Sequence, residues 1–275
     1  MKPSVMNFTN MMQKGGKSKR KIAAGIAAVA VGCVFAAAGS ARANTIIWAN
    51  DARGMPGPTI EEWSVNIGGD SSMLVTSFVA PNPAAQGRSG EGIAVVGSNI
   101  YYSVFSSGSV FLTNPGGTDL GIAFSTGLPG ISSIASDGQS LYLARTGATN
   151  YIYKYTLDGS LVSTIALQPS QIPIAMSRVG LEVVGTDFVS DQQQDIGPYD
   201  KFAANGALLV PQFIGVPSDF GKAGIAFDGT DYFVFDDEAQ PSQFVIYNSS
   251  GSFLERERRG PDRRDSAYRS RFFLP

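Results

Sequence analysis

From Asn44 to Leu254, apolar residues alternate with polar ones or run in groups of four to six, rich in Val, Ile, Tyr and Phe. Gly, Asn-Pro, Asp-Gly and Ser-Gly pairs interrupt them at short intervals. That pattern predicts short strands joined by tight turns, with almost no helical period. One phrase also returns along the chain: GIAVVGSNIYYS from Gly92, SSIASDGQSLYLA from Ser132, GIAFDGTDYFVF from Gly224, and a weaker SRVGLEVVGTDFV from Ser177. With Gly97, Gly138, Gly180 and Gly229 taken as the turn glycines, the copies lie 41, 42 and 49 residues apart. The spacing is close to the ~40 to 45 residues of a four-stranded propeller blade.

Each phrase supplies an inner strand, a glycine turn and a second strand; a third and fourth strand then follow around a second turn. That second turn recurs as Asn114-Pro115-Gly116-Gly117, Asp158-Gly159, Asn205-Gly206 and Ser249-Ser250-Gly251. Two-residue hairpins need positive φ at their centre, which Gly reaches freely and Asn or Asp tolerate. Asp137, Asp158 and Asp228 therefore read as turn formers rather than metal ligands. The expected fold is all-β, a β-propeller of about five four-stranded blades over residues 44–254, incompletely closed. Residues 46–80 read as strands two to four of a first unit, with IIWAND at Ile46 resembling YFVFDDE at Tyr232. Its innermost strand is missing, and closure from the opposite terminus would need a strand after Leu254. Residues 255–275, ERERRGPDRRDSAYRSRFFLP, hold seven of the thirteen arginines and no repeat phrase. They are expected to form a disordered basic tail, either a solvated charge run or the product of a changed reading frame or lost original end.

At the other end, Lys14, Lys17, Lys19, Arg20 and Lys21 precede an uncharged stretch from Ile22 to Gly39, followed by Ala41-Arg42-Ala43. This order reads as an export signal over residues 1–43, with cleavage after Ala43. An uncleaved membrane anchor and a lipidated Cys33 are the alternatives. Cleavage would leave no cysteine, hence no disulfide in an oxidising compartment. The chain has no histidine and one cysteine in 275 residues, which excludes Ser/His/Asp triads, Cys/His dyads, zinc fingers and histidine-ligated metals. The net charge of −2 combines +7 over residues 1–43, −12 over 44–254 and +3 over 255–275. An acidic body of this kind repels phosphate backbones, so nucleic acid is not an expected partner.

The export signal, the Ala-Arg-Ala-Asn-Thr-Ile-Ile-Trp-Ala-Asn junction at 41–50, and blades carrying IASDGQSLYLA and IAFDGTDYFVF resemble bacterial exported propeller proteins that often end in a PEP-CTERM sorting signal. The likeness spans roughly residues 20–254. It implies an exported chain, secreted, periplasmic or associated with the cell envelope, in which the repeats encode blade packing. The family's tail runs Pro-Glu-Pro, membrane segment, arginine cluster; here arginine-rich sequence follows Leu254 directly.

A propeller's loops between strands two and three, and those entering each innermost strand, open on one face. Charged and polar residues collect there: Asn50, Asp51 and Arg53, then Arg88 and Glu91, Arg145, Asp191, Lys222, and Asp236-Asp237-Glu238. The candidate binding residues are Asp51, Arg53, Glu91, Arg145, Asp187 and Asp236, a mixed-charge rim suited to a polar ligand. The competing reading is a set of solvated loop charges. Two function classes follow. The first is a non-catalytic exported propeller that binds a glycan, peptide or envelope component, with no cofactor and no membrane contact beyond an uncleaved signal segment. The second resembles gluconolactonase-like propeller hydrolases, which hold one divalent cation such as Ca²⁺ on carboxylate and amide oxygens; it would require Glu91, Asp187 and Asp236 to converge. No catalytic or metal residue is assigned. GRSGEG at Gly87 lacks the glycine order of a dinucleotide fingerprint, and no phosphate-loop motif occurs. Tyr151, Tyr153 and Tyr155 alternate along one strand, a stripe expected to serve blade packing rather than a sugar platform.

Overall fold

The computed structural model describes residues 4–6, 27–32, 44–51, 58–68, 71–147, 150–168, 180–193, 196–215, 222–236 and 243–258. Its strands pair into five antiparallel sheets whose order is their order in the chain. The first contains β1 (Ser4–Met6), β2 (Ala27–Gly32), β3 (Thr45–Asp51), β4 (Thr59–Asn66) and β5 (Ser71–Val79). The second is β6 (Gly90–Val96), β7 (Asn99–Val104), β8 (Ser109–Thr113) and β9 (Asp119–Ser125). The third is β10 (Ile131–Ser136), β11 (Ser140–Arg145), β12 (Tyr151–Thr156) and β13 (Leu161–Ala166). The fourth is β14 (Leu181–Val184), β15 (Asp187–Gln193), β16 (Ile196–Phe202) and β17 (Leu208–Ile214), and the fifth β18 (Lys222–Phe227), β19 (Asp231–Asp236), β20 (Gln243–Asn248) and β21 (Phe253–Arg258). Strands β2, β6, β10, β14 and β18 neighbour one another in turn, with β18 beside β2, so the sheets radiate as the five blades of a β-propeller. The short β1 lies within this ring, beside all five inner strands.

Exposure grades outward along each blade, which is why inner strands read as continuous apolar runs and outer ones as mixed sequence. Every residue of β10 is buried, whereas β13, the outermost strand of the same blade, shows only Ile165 partly covered. Neighbouring blades are held face to face by aromatic side chains. Trp63 of blade one meets Phe244 of blade five, Phe124 stacks on Tyr155, Tyr142 meets Phe188 edge-on, and Phe213 meets Tyr232. Ring pairs in such offset or edge geometries contribute about 0.5–1.5 kcal/mol each beyond their area. Tyr155 also donates from its hydroxyl to the Thr126 carbonyl, so the inner end of the tyrosine stripe does serve blade packing, while Tyr151 stays exposed. The first and last blades are also joined by polar contacts: Thr45 Oγ1 donates to Asp228 Oδ2 at 2.9 Å, and the Gly68 amide to Glu255 Oε1 at 2.9 Å.

Three expectations change. Blade one has an innermost strand after all: β2 pairs antiparallel with β3, Ala27 opposite Asp51 and Gly32 opposite Ile46, and closes the ring. Its sequence, Ala-Ala-Val-Ala-Val-Gly, lies inside the uncharged stretch Ile22–Gly39, where an apolar leader and an inner strand have the same composition. The fourth strand of blade five runs to Arg258, four residues beyond the boundary read at Leu254, because Phe244 pairs with Glu257 and Gln243 with Arg258. In blade four the inner turn glycine is Gly185, at φ +65°, between Val184 and Asp187; Gly180 precedes the strand instead.

Candidate functional site

Antiparallel order places the ends of the second strands and the beginnings of the innermost strands at one end of the propeller, around the mouth of the ring. Asn50 lies next to the end of β3 there, Glu91 near the start of β6, Ser103 near the end of β7, Ser132 and Ser133 near the start of β10, Arg145 at the end of β11 and Asp191 near the end of β15. Apart from the half-buried Arg145, these polar residues are buried.

The inner strands enter the ring irregularly. The β6–β7 register shifts between Gly90 and Ile93, β10–β11 between Ile131 and Ser133, and β18–β19 between Lys222 and Ile225. A bulge removes a backbone group from the ladder, and a buried amide must then find another acceptor. In blade two the Gly92 amide donates to Ser103 Oγ at 2.8 Å. In blade four, where β14 and β15 pair without a shift, the amide of Gly180 just before the strand donates to Asp191 Oδ1 at 3.2 Å. Both pairs are eleven residues apart in the chain. Asn50 links blades one and two: its Nδ2 donates to the Gly92 carbonyl at 3.1 Å and the Ser103 carbonyl at 2.8 Å. Gly90 lies so close to the Asn50 side chain that a Cβ there would collide with it. Ser103 Oγ reaches on to the Ile131 carbonyl at 3.4 Å, in blade three, and Tyr199 donates from blade four to the Gly224 carbonyl of blade five at 3.0 Å. The mouth is thus lined by side chains that tie one blade's backbone to the next. Asn50 Oδ1, Ser133 Oγ and Arg145 Nε are buried there without a hydrogen-bond partner among the described residues.

Of the residues expected to form the rim, Glu91 and Arg145 lie at this end on adjacent blades. Asp51 and Asp236 are placed there by their backbone, at the ends of β3 and β19; Arg53, with Asp237 and Glu238, lies outside the described residues. Asp187 does not join them. It begins β15 at the opposite end, in an ion pair with Lys201 at 3.3 Å. The convergence of Glu91, Asp187 and Asp236 is therefore not formed, because a strand of seven residues separates its two ends by roughly 20 Å. Among the described residues no group of three Asp, Glu, Cys or His side chains is placed to hold a metal ion. Asp191 takes the position at the mouth that Asp187 lacks.

Other acidic groups have structural explanations. Asp137 Oδ1 accepts from the Gln139 and Ser140 amides at 2.7 Å, and Asp228 Oδ1 from those of Thr230 and Asp231 at 2.8 Å, as turn formers should. Burial pushes the Asp137 carboxyl up, but those two amides, the Tyr142 hydroxyl and the Lys154 charge together hold it below its ordinary value. Buried Asp200 accepts from the Gln212 amide at 2.8 Å, stabilising a residue at φ +50° where β17 departs from its register. Burial, followed by the nearby Glu182 and Asp187 charges, pushes the Tyr232 phenol far up, so it stays protonated in the core. Ser103, Ser132, Ser133 and Glu182 were not singled out by sequence. The eleven-residue Gly-to-Ser or Gly-to-Asp spacing would have found Ser103 and Asp191 as a matched pair.

Comparison with known structures supports the architecture and no more. The chain is similar to the glutaminyl cyclase of Myxococcus xanthus, with TM-score 0.55 and 12% identity over 76% of this chain and 88% of that one. It is also similar to a chain of a nidogen/laminin complex, with TM-score 0.50 and 13% identity over 93% of each. At such identities the likeness is one of fold, and the chain is a five-bladed β-propeller. No protein-family model matches it, and no curated protein matches its sequence. No helix among the described residues is long and apolar enough to cross a membrane.

Proposed function

We propose that this chain is an exported, non-catalytic β-propeller that binds a glycan or peptide component of the cell envelope through the mouth of its ring. The observation that carries this reading is the gathering of Asn50, Glu91, Ser133, Arg145 and Asp191 from four blades at one end, with Arg145 only half buried and its Nε unmatched. Mixed donors and acceptors around the mouth of the ring suit a neutral or zwitterionic polar ligand better than a polyanion. The export half of the reading rests on the basic cluster, the uncharged stretch and Ala41-Arg42-Ala43.

Purified peptidoglycan sacculi, which present both glycan and peptide, are the direct probe in a co-sedimentation assay. Retention of the wild-type chain, a tenfold or greater loss in Arg145→Ala and no loss in Asp187→Ala at the far end would support the reading. No retention, or equal retention by Arg145→Ala, would overturn it. Melting temperature with Ca²⁺ and with EDTA separates the second class: a Ca²⁺-dependent rise reversed by EDTA would favour a divalent-cation hydrolase.

A further inference from the structure

Blade one is assembled differently from the other four. In blades two to five the innermost strand is joined to the second by a tight turn, Gly97–Ser98, Asp137–Gln139, Gly185–Thr186 and Asp228–Thr230. In blade one, residues 33–44 lie between β2 and β3. That connection includes Ala41-Arg42-Ala43, the junction at which the export segment would be cut. A strand held by a tight turn has its register set by that turn, whereas β2 is held to β3 by ladder pairing and ring packing across a long connection. The pairing is extensive: Ala27 opposite Asp51, Ala28 opposite Asn50, Val31 opposite Ile47 and Gly32 opposite Ile46, with β6 and β18 as flanking neighbours.

Cutting after Ala43 would detach β1 and β2 from the chain while leaving β3, β4 and β5 of the same blade covalently intact. The long edge of β3 from Thr45 to Asp51 would then lose its ladder partner. Ile47, Trp48 and Ala49 are buried on that strand, so the vacated edge lies beside the core rather than on a solvated rim. Unpaired amides and carbonyls along a buried edge are costly, and an added strand satisfies them all at once. The native occupant defines the chemistry accepted: six residues of Ala, Val and Gly, uncharged, extended and antiparallel to β3.

We propose that the inner edge of β3, between β6 and β18, is a strand-acceptor site: occupied in the uncut chain by Ala27–Gly32, and in the chain cut after Ala43 by an extended small-apolar strand of a partner polypeptide. This rests on reading residues 1–43 as a removable segment, but the test below uses purified protein and does not depend on export. N-terminal sequencing of the protein recovered from the medium or envelope tests export separately.

The full chain, with a specific protease site placed within residues 36–41, is cut under native conditions and offered a fluorescent peptide of residues 24–35. The cut chain should bind that peptide at least tenfold more tightly than the uncut chain, and a peptide carrying both Ala28→Pro and Val31→Pro should not bind, because alternate residues of a strand face a given partner and proline at both positions removes a donor toward β3. Equal binding by cut and uncut chains, binding of the proline peptide, or no binding would overturn the proposal. Dimerisation of the cut chain in place of peptide binding would assign the groove to a second copy and overturn it as well. Val31→Cys with Ile47→Cys, in a Cys33→Ser background, keeps the test decisive even if the cut chain unfolds. The pair lies opposite in register, should cross-link on oxidation in the uncut chain, and once cross-linked should abolish peptide binding after cutting; failure to cross-link would show that β2 does not occupy the site.

Discussion

At the mouth of the ring, Asn50, Ser103 and Asp191 are buried and bonded to backbone amides and carbonyls of the inner strands. At the opposite end Asp137, Asp187 and Asp228 stand half-buried in or beside tight turns, each serving its own hairpin or a nearby lysine or threonine. The residue types overlap, yet their contexts differ. Inner strands crowd together and bulge as they enter the ring, leaving amides that a side chain must satisfy, whereas strands leave the far end through hairpins that satisfy their own backbone. Polar side chains therefore connect blades around the mouth, whereas at the far end they mainly shape turns, with the Thr45–Asp228 contact joining the first and last blades there.

The largest effect should come from Asn50→Asp, which replaces a double donor by a carboxylate facing the Gly92 and Ser103 carbonyls. A loss of about 3 kcal/mol is expected, read by denaturant unfolding. A loss below ~1 kcal/mol would mean that Asn50 does not hold blades one and two together.

Next comes a pair of turn glycines. Gly206, in the outer hairpin of blade four, sits against the Ala166 carbonyl of blade three, and a Cβ would run into that oxygen. Gly185, in the inner hairpin of the same blade, has nothing near its open side. Both have positive φ, so Gly185→Ala should cost about 1 kcal/mol, from backbone alone, and Gly206→Ala about 2–3 kcal/mol. Equal losses would remove the distinction between free and packed turns. The same close approach recurs at Gly117 against Phe78, Gly159 against Phe124 and Gly251 against the Phe213 carbonyl, each on the preceding blade.

A smaller effect is pH-dependent. The folded Asp137 carboxyl sits below its ordinary value of 3.8, so its contribution is fully present above that value and is lost as pH falls through the folded value. Asp137→Asn keeps the turn acceptor and removes the charge, and should flatten the acid limb of a melting-temperature profile below about pH 4 without moving its neutral plateau by more than a few degrees. An unchanged acid limb would show that the carboxylate is not the group responsible. Smallest should be Asp187→Ala: its half-buried but solvent-accessible pair with Lys201 is worth about 1 kcal/mol or less, with the melt shifting by no more than that implies.

The propeller was legible because its signals are local. Asp-Gly and Asn-Gly hairpins, strand-length apolar runs and a repeated phrase report what each blade does with its own backbone, and all survive without knowledge of a neighbour. Even so, the sequence points to Gly180 as the turn where Gly185 serves, because the copy beginning at Ser177 is degenerate and either glycine fits a period of that width. The site was less legible. Glu91 and Arg145 lie at the mouth, whereas Asp187 begins β15 at the far end, because taking Gly180 rather than Gly185 as the inner turn exchanges the two ends of that strand.

What the sequence by itself determined is the repeating unit: a hairpin-bearing blade of a little over forty residues, acidic, histidine-free and preceded by a basic and apolar segment. Only the tertiary structure decided that residues 27–32 complete the first blade, that turn glycines of the outer hairpins are packing points, and that Ser103 and Asp191 do the same work in different blades. Hairpin geometry is set by residues next to one another in the chain, while ring closure and inter-blade contacts depend on which distant strands become neighbours.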